Sequence, residues 1–396
     1  MDLLLPAIWL IVLIVGLPQL SETVYTPSLP DIADSMNASE AMVEYTLTIY
    51  LLGFAVGTSF WGILSDKIGR KWCVLAGLLI FIMGCIGCYY SQTITALMIS
   101  RFIQALGGSI GSIIGQAICR DAFHGAALGK AYSSIGAALA VFPAVGPVMG
   151  GLIAQNFGWP SIFLFLTIFA LLLTILVIKY LPETHHAENR KQISAITVAK
   201  SLMSNKKVIG FGLIVAACNG IAFSYFAEGS FYFIKMLGLS PSQYGFSFVP
   251  IAFITMIGGI ASKHLHNWYT SQMIMRYGLR LLTVATLLFS ITAFCFVTHA
   301  SFTTHAMIFA AIFMQMITMF SICMVTSNAL ALALVDYKWC TGTASSFFGF
   351  FYYLFISFFT FGMGYLHNGT LLAMPLYFFA LSCFMLLVEK CMLRHQ

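Results

Sequence analysis

The chain has 396 residues, of which 60% are hydrophobic and only 8% are charged, and its mean hydropathy is +0.92. A water-soluble protein of this size could not keep so much apolar area away from water, so a soluble globular class is excluded. The net charge of +6 is therefore not interpreted as a nucleic-acid-binding signal, and the sequence predicts an all-α polytopic membrane protein embedded in a lipid bilayer.

Twelve apolar stretches are each long enough to cross the hydrocarbon core, which takes about 20 helical residues. They lie at 3–30, 42–64, 72–90, 94–118, 127–153, 160–181, 207–234, 242–262, 274–298, 302–333, 341–365 and 370–389. The first stretch has no basic leader and no cleavage site after it, so it is interpreted as a span and not as a signal peptide. An even number of spans puts both termini on one side of the membrane.

The basic residues indicate which side that is. All Lys and Arg residues except Lys235 and Arg101 fall in or beside alternate connections or in the C-terminal tail, and Arg101 lies within span four. Because cytoplasmic loops carry an excess of positive charge, both termini are predicted to be cytoplasmic.

The longest polar stretch, residues 182–206, divides the chain into two predicted six-helix bundles at 1–181 and 207–396. Apolar residues from Ile193 to Met203 recur at helical spacing, which predicts a helix lying on the cytoplasmic membrane surface. Two bundles of this kind are typical of secondary transporters.

The connection after span two carries a motif. Residues 62–71 read GILSDKIGRK, which resembles the G-x-L-a-D-r-x-G-r-k signature of the major facilitator superfamily. Gly69 permits a tight turn, and a carboxylate at Asp66 suits the positive end of a neighbouring helix. The resemblance implies that Asp66 caps span eleven near Thr341 and that Arg120 is its second partner; the alternative is a solvated positive loop. The residues assigned to this cytoplasmic gate are Gly62, Asp66, Gly69, Arg70, Lys71 and Arg120.

Span four begins with Arg101 and Gln104 in the order R-x-x-Q, which resembles a family segment, with Ala105 in place of the usual glycine. A charged side chain in hydrocarbon is costly and marks a functional site. Arg101 is predicted to tune a nearby carboxylate and to help relay a proton; the alternative is that it reaches out to the headgroups.

Residues 146–151 in span five read GPVMGG and resemble the G-P-x-x-G-G motif of antiporters in this superfamily. Small residues with a proline make a bendable and closely packing helix face. The resemblance favours export over import. The motif residues are Gly146, Pro147, Gly150 and Gly151.

Further segments resemble drug/proton antiporters of the bicyclomycin and chloramphenicol resistance (Bcr/CflA) type. They are the Y-x-P-x-x-P of residues 25–30, the pair at 120–121, and residues 326–329 with 342–346. That group usually has an aspartate where this chain has Thr23. The acid here is Glu22, and a shift of one residue turns a helical side chain by about 100°.

Glu22 and Glu228 are the two carboxylates placed best within predicted spans. A proton-driven antiporter needs a membrane acid whose protonation and cargo oppose each other, so Glu22 and Arg101 are predicted to couple protons. The alternative is that Glu22 is wetted at the outer interface. Glu228 is predicted either to bind cargo or a proton, or to be interfacial. A solvated external loop is predicted to contain Asp31, Asp34, Glu40 and Glu44.

The resemblance implies a central cavity lined by spans one, four, seven and ten. The predicted substrate-binding residues are Glu22, Tyr25, Gln104, Asn219, Tyr225, Glu228, Tyr232 and Gln315. Acids together with aromatic rings suit an amphipathic or cationic small molecule. No pair of histidines has metal-ligand spacing within a span, so no metal and no cofactor are predicted, and a monomer is expected.

Together these features predict a secondary active exporter of the bacterial cytoplasmic (inner) membrane that couples proton influx to efflux. Two alternatives stay open: a dedicated exporter of one metabolite such as a siderophore, and an importer working by facilitated diffusion or symport. The sequence has no catalytic triad, P-loop or pore-loop signature, so an enzyme or a channel is disfavoured.

Overall fold

The computed structural model describes residues 6–123, 125–184, 195–298 and 303–393. The side chains of residues 120, 125–126, 129–130, 132–134, 137–140, 195–197 and 338–342 are not among the described parts. All regular elements in the described ranges are helices, in agreement with the predicted all-α class.

The helices fall into two halves on either side of residues 185–194. The first half contains α1 (Ile8–Thr23), α2 (Leu29–Met36), α3 (Glu40–Ile68), α4 (Arg70–Tyr89), α5 (Ile94–Gly108), α6 (Ile110–Ala122), α7 (Gly125–Phe157) and α8 (Pro160–Tyr180). The second half contains α9 (Ala195–Ser204), α10 (Lys206–Ser230), α11 (Pro241–Leu265), α12 (Ser271–Thr298), α13 (Thr304–Ala333), α14 (Thr341–Leu366) and α15 (Ala373–Val388).

Eleven helices or helical runs among the described residues are long and apolar enough to cross a bilayer. Each coincides with one of the predicted spans. The remaining predicted span, 127–153, falls within α7, of which Val141–Phe157 counts as a shorter apolar helix over the described residues. Twelve spans and cytoplasmic termini therefore stay predictions.

The first span ends six residues later than predicted, at Met36 and not at residue 30. A single 3-10 turn, Thr26–Ser28, joins α1 to α2, and Pro27 and Pro30 are the second residues of their helical segments. Proline is tolerated there because those positions need no N–H donor. The proline-containing segment therefore bends the span and does not end it.

Large apolar side chains lie on the outside of the helices. Phe309 is 73% exposed and Phe358 is 65% exposed. A surface of this kind is unfavourable in water, so the described structure fits a hydrocarbon environment.

The predicted linker contains α9, and the Ser201 hydroxyl lies 3.1 Å from the Tyr337 hydroxyl of the second half. Its position at a membrane surface stays a prediction.

The two halves meet along two helix pairs, α3 with α14 and α7 with α11. Gly151 lies against the backbone of Pro241, and Gly245 lies against the backbone of Pro147, so neither position has room for a side chain. Small residues of this kind let helix backbones approach closely. The second pair therefore depends on glycines from both halves.

The molecule has two ends, which we call the outer end and the inner end. The outer end carries Asp34, Glu40, Lys235 and His367, and the inner end carries residues 66–71. They are far apart because α3, with its 29 residues, starts at one and finishes at the other, a rise of about 43 Å.

Candidate functional site

Arg101 on α5 is fully buried within the first half. Its guanidinium carbon lies 4.1 Å from the ring centroid of Tyr25 and 4.1 Å from that of Tyr50. Its Nη1 also donates to Oε1 of Gln104 at 2.5 Å. A cation between two aromatic rings is attracted to the electron-rich face of each ring by the ring quadrupole. The alternative in which Arg101 reaches the headgroups is wrong, because its side chain is enclosed by protein.

Two further contacts hold this arrangement in place. The Gln104 amide nitrogen donates to Sγ of Cys85 at 3.0 Å, and the Tyr25 hydroxyl lies 2.5 Å from Oγ1 of Thr46. Tyr25 and Gln104, which the sequence assigned to substrate binding, are therefore neighbours of Arg101 in one hydrogen-bonded network.

Glu22, near the end of α1, is 0% exposed. Neither of its carboxylate oxygens accepts a hydrogen bond from any described residue. The Arg101 guanidinium is close enough to attract the Glu22 carboxylate. The Tyr352 hydroxyl of α14 is also close enough to interact electrostatically with this carboxylate. Because a buried carboxylate without a partner is costly, the site favours uptake of a proton or a cation. The alternative of a wetted Glu22 at the outer interface is wrong.

The residues of the antiporter-type motif pack beside this carboxylate. Gly146 lies against the side chain of Thr23, and Gly150 lies against the backbone carbonyl of Val24. The motif helix α7 is thus in direct contact with the two residues that follow Glu22. Any bending of α7 would therefore move the C-terminal end of α1.

The predicted cavity-lining residues of the second half are not part of the network around Arg101. Tyr225 and Tyr232 are buried, and their ring centroids lie 6.1 Å and 5.2 Å from that of Phe233. The Gln315 side-chain amide is also buried, and among the described residues no partner bonds to it or to either hydroxyl. Asn219 instead donates to the backbone carbonyl of Val215 at 2.9 Å. Three of these four residues retain free hydrogen-bonding capacity.

A second set of charged side chains lies at the outer end and joins the two halves. We call it the outer cluster; it comprises Asp34, Glu40, Glu44, Glu228, Lys235 and His367.

His367, which follows α14, is the centre of this cluster. Its Nδ1 lies 2.7 Å from Oε2 of Glu228 and 3.4 Å from Oε1 of Glu44, and its Nε2 lies 2.9 Å from Oε2 of Glu40. The hydrogen bond to Glu228 raises the pKa of His367 above its ordinary value, although partial burial opposes this. One imidazole thus contacts two acids of the first half and one acid of the second.

Lys235 makes a second connection between the halves. Its Nζ lies 2.8 Å from Oδ1 of Asp34 and 3.1 Å from Oε1 of Glu40. Because Lys235 comes from the second half and both acids come from the first, these ion pairs form only when the outer ends of the halves are together.

The prediction that Glu44 lies in a solvated loop is wrong, since the residue is 0% exposed. Ser39 caps α3 by accepting a hydrogen bond from the Met42 N–H at 3.3 Å, so the helix begins at Glu40. Glu40 and Glu44 are then one turn apart on the same face and point at the second half. The spacing of these two acids was the available signal, but it does not reveal their partner.

Glu228, for which the sequence left two interpretations, is buried beneath His367. Glu228, Glu44 and His367 also form a group that could hold a metal ion among the described residues. One possible ligand atom from each lies within 4.8 Å of the others. Sequence reasoning missed this group because its members are far apart in the chain.

The signature loop at the inner end forms an ionic network. Arg70 donates from Nη1 to Oδ1 of Asp66 at 2.7 Å and from Nε to Oδ2 of Asp121 at 2.9 Å. Gly69 has a φ of 102°, and the Glu183 carboxylate accepts hydrogen bonds from the backbone N–H of Arg70 at 2.8 Å. These contacts all lie within the first half.

The backbone N–H of Lys71 donates to the same Glu183 carboxylate at 3.1 Å. The predicted partner of Asp66, the Arg120 side chain, lies outside the described residues, as does the side chain of Thr341. Across the halves, the Ser346 hydroxyl approaches the Thr58 carbonyl at 3.4 Å. The predicted gate role of this loop stays a proposal.

Comparison with known proteins places this architecture in a family. The sequence profile of the Major Facilitator Superfamily matches residues 11–360. An uncharacterized transporter of Rickettsia felis is 33% identical over 390 residues, which cover 96% of this chain and 94% of the relative.

The chain is also similar to a named resistance protein homolog and to solved transporter structures. A bicyclomycin resistance protein homolog of Haemophilus influenzae is 30% identical over 244 residues, 61% of each chain. Among solved structures, the xylose transporter XylE from E. coli, in a partially occluded inward open conformation, aligns with a TM-score of 0.75 over 98% of both chains. Its 12% sequence identity supports the fold alone.

Proposed function

The chain belongs to the major facilitator superfamily and is a membrane transporter that resembles drug antiporters of the bicyclomycin-resistance type, and we propose that it exports small amphipathic or cationic molecules in exchange for protons. The observation that carries this proposal is the fully buried Glu22 carboxylate without a hydrogen-bond donor, beside Arg101.

The coupling would work through the charge of Glu22. When the carboxylate is ionised, it attracts a cation, either Arg101 or a positively charged cargo. When it takes up a proton, that attraction disappears and the cargo is released. Proton and cargo therefore exclude each other at one group, which is what exchange requires.

The surroundings of Glu22 support alternating access as the transport step. Tyr25 and Arg101 belong to the first half, whereas the Tyr352 hydroxyl that feels the charge of Glu22 belongs to the second. A change of charge at Glu22 would thus alter its electrostatic interactions with residues of both halves. Movement of the halves could follow from it, because packed interfaces switch between discrete arrangements.

Two observations favour export. The antiporter-type motif packs against Thr23 and Val24, next to Glu22, so motif and coupling residue can act together. Ion pairs of the outer cluster join the two halves at the outer end, as a state that loads cargo from the predicted cytoplasmic side would require. The proposed location is the bacterial cytoplasmic membrane, with the chain working as a monomer.

A transport assay tests the proposal. The purified chain is reconstituted into vesicles that are acidic inside and contain a pH-sensitive dye, and tetraphenylphosphonium or ethidium is added outside. Exchange predicts that the cation enters while protons leave, and that collapse of the gradient stops both. Cation uptake that is the same with and without a pH gradient would show facilitated diffusion and contradict the proposal.

A dedicated exporter of one metabolite is the second candidate. The polar atoms of Tyr225, Tyr232 and Gln315 are buried without partners in the described structure, which suits a ligand that forms several directed hydrogen bonds. Expression in a drug-sensitive strain distinguishes the two. Resistance to several unrelated cationic compounds supports broad efflux, and resistance to none of them supports the dedicated exporter.

A further inference from the structure

We propose that Glu44, Glu228 and His367 bind a divalent transition-metal ion, with Zn²⁺ as the ion that suits them best, and that this ion joins the two halves at the outer end. The proposal does not depend on which cargo the transporter carries or on proton coupling.

Two carboxyl groups of the outer cluster are buried, and most of their oxygens lack a hydrogen-bond donor among the described residues. Glu44 and Glu228 are both 0% exposed. Both oxygens of Glu44 and Oε1 of Glu228 accept no hydrogen bond from any described N–H or O–H group. The two carboxylates come from opposite halves and lie close enough for their charges to repel. Because burial of charge without compensation is strongly unfavourable, a shared cation would stabilise two ionised carboxylates in this position.

The possible ligand atoms of the three residues lie close together. Nδ1 of His367 lies 2.7 Å from Oε2 of Glu228 and 3.4 Å from Oε1 of Glu44, and one ligand atom from each residue lies within 4.8 Å of the others. Zn²⁺ binds imidazole nitrogen and carboxylate oxygen at about 2.0–2.2 Å, which places tetrahedral ligands about 3.3–3.6 Å apart. The proposal requires side-chain rotations that bring the three atoms to these separations.

A further carboxylate holds the His367 imidazole in place. The other ring nitrogen of His367, Nε2, lies 2.9 Å from the Glu40 carboxylate. A histidine that binds a metal through one nitrogen usually donates its other N–H to a carboxylate, which fixes the tautomer and the ring orientation. Lys235 in turn contacts Glu40 at 3.1 Å. Glu40 therefore lies where it can accept a hydrogen bond from a metal-bound His367, and Lys235 lies where it can hold Glu40 in place.

The ion would offset most of the negative charge of the outer cluster. Four carboxylates, those of Asp34, Glu40, Glu44 and Glu228, face one lysine, Lys235, and a His367 that is neutral when it binds a metal. One divalent ion compensates two of the three carboxylate charges that Lys235 leaves unpaired. Imidazole and carboxylate ligands without sulfur suit Zn²⁺ or Mn²⁺ better than copper(I), and magnesium would keep most of its water.

The site would stabilise one conformation. Glu44 belongs to the first half, and Glu228 and His367 belong to the second, so the three ligands meet only when the outer end is closed. An ion that binds one state shifts the equilibrium toward that state. Zn²⁺ outside the cell would then hold the outer end closed and slow transport.

The experiment measures Zn²⁺ binding to the purified full chain in detergent, after removal of any histidine tag and treatment with a chelator. Competition against a chromogenic chelator should give one Zn²⁺ per chain. Glu44→Gln and His367→Gln should each weaken binding about 100-fold or more, and Glu40→Gln about 10- to 100-fold. Asp31→Asn removes an exposed acid at the same end and should leave the affinity unchanged.

X-ray absorption at the zinc edge tests the wild-type chain directly and needs no variant to fold. One nitrogen and two or three oxygen ligands support the site. A Zn–S distance of about 2.3 Å would indicate binding by cysteine and overturn the proposal. Equal affinity in wild type and Glu44→Gln, or absence of binding by the wild type, would mean that protons alone compensate these acids, and would overturn it too. None of these readouts uses transport, so they stand apart from the proposed exchange.

Discussion

The Glu228 carboxylate at the end of α10 lies 2.7 Å from Nδ1 of His367, which follows α14. Both residues belong to the second half, and together they face Glu40 and Glu44 of the first. The contact between the halves at the outer end is therefore charged, and it responds to cations in a way that an apolar contact would not.

Glu22→Gln tests proton coupling. The amide keeps the shape of the side chain but has no ionised form, so cation-driven proton release from acid-loaded vesicles should fall to the level of empty vesicles. Asp336→Asn is the matched control, because Asp336 is an exposed acid. Retention of proton release by Glu22→Gln would assign the coupling to another residue.

Arg101→Lys keeps the charge but loses the planar group between Tyr25 and Tyr50. Lysine cannot stack in this way, and the hydrogen bond to Gln104 would also change. We expect a loss of about 2 kcal/mol in stability, measured by thermal unfolding in detergent. Arg276→Lys, at a partly exposed ion pair with Glu389, should cost about 1 kcal/mol or less. Equal effects of the two changes would argue against the stacking.

Gly151→Val should hinder closure of the outer end, because Gly151 packs against the backbone of Pro241 without room for a side chain. A cysteine at Ser357, which is buried and donates to the Thr48 carbonyl across the halves, should then react faster with a membrane-impermeant maleimide. Gly259→Val is the control, since Gly259 has space beside it. Unchanged labelling in Gly151→Val would contradict the proposed role of this contact.

Glu183→Gln should destabilise the start of α4. The carboxylate accepts hydrogen bonds from the backbone N–H groups of Arg70 and Lys71, where the helix dipole favours a negative charge. We expect a loss of about 1 kcal/mol, seen as a lower melting temperature. A melting temperature equal to that of wild type would show that the neutral amide caps the helix equally well.

The hydrophobic pattern was sufficient to predict most of the fold. Apolar runs of about 20 residues have few alternatives to a membrane helix, because each backbone polar group must be satisfied within its own segment. All eleven spans found in the described residues had been predicted. Boundaries were less accurate, as at Met36, because a proline segment can bend a span without ending it.

Contacts within the candidate site were predictable where both residues lie in the same helix. Arg101 and Gln104 are three residues apart on a helix, so their contact follows from sequence spacing. Glu44 was misplaced because an acid near a loop is usually solvated, and its partners are more than 180 residues away in the chain.

The sequence by itself determined that this chain is a helical membrane transporter, because hydropathy and the residue 62–71 motif act locally. Only the tertiary structure decided which charges meet: Arg101 between Tyr25 and Tyr50, and His367 among Glu40, Glu44 and Glu228. The physical reason is that a buried charge is tolerable only where the fold supplies a partner, and partners from different helices are set by packing and not by spacing along the chain.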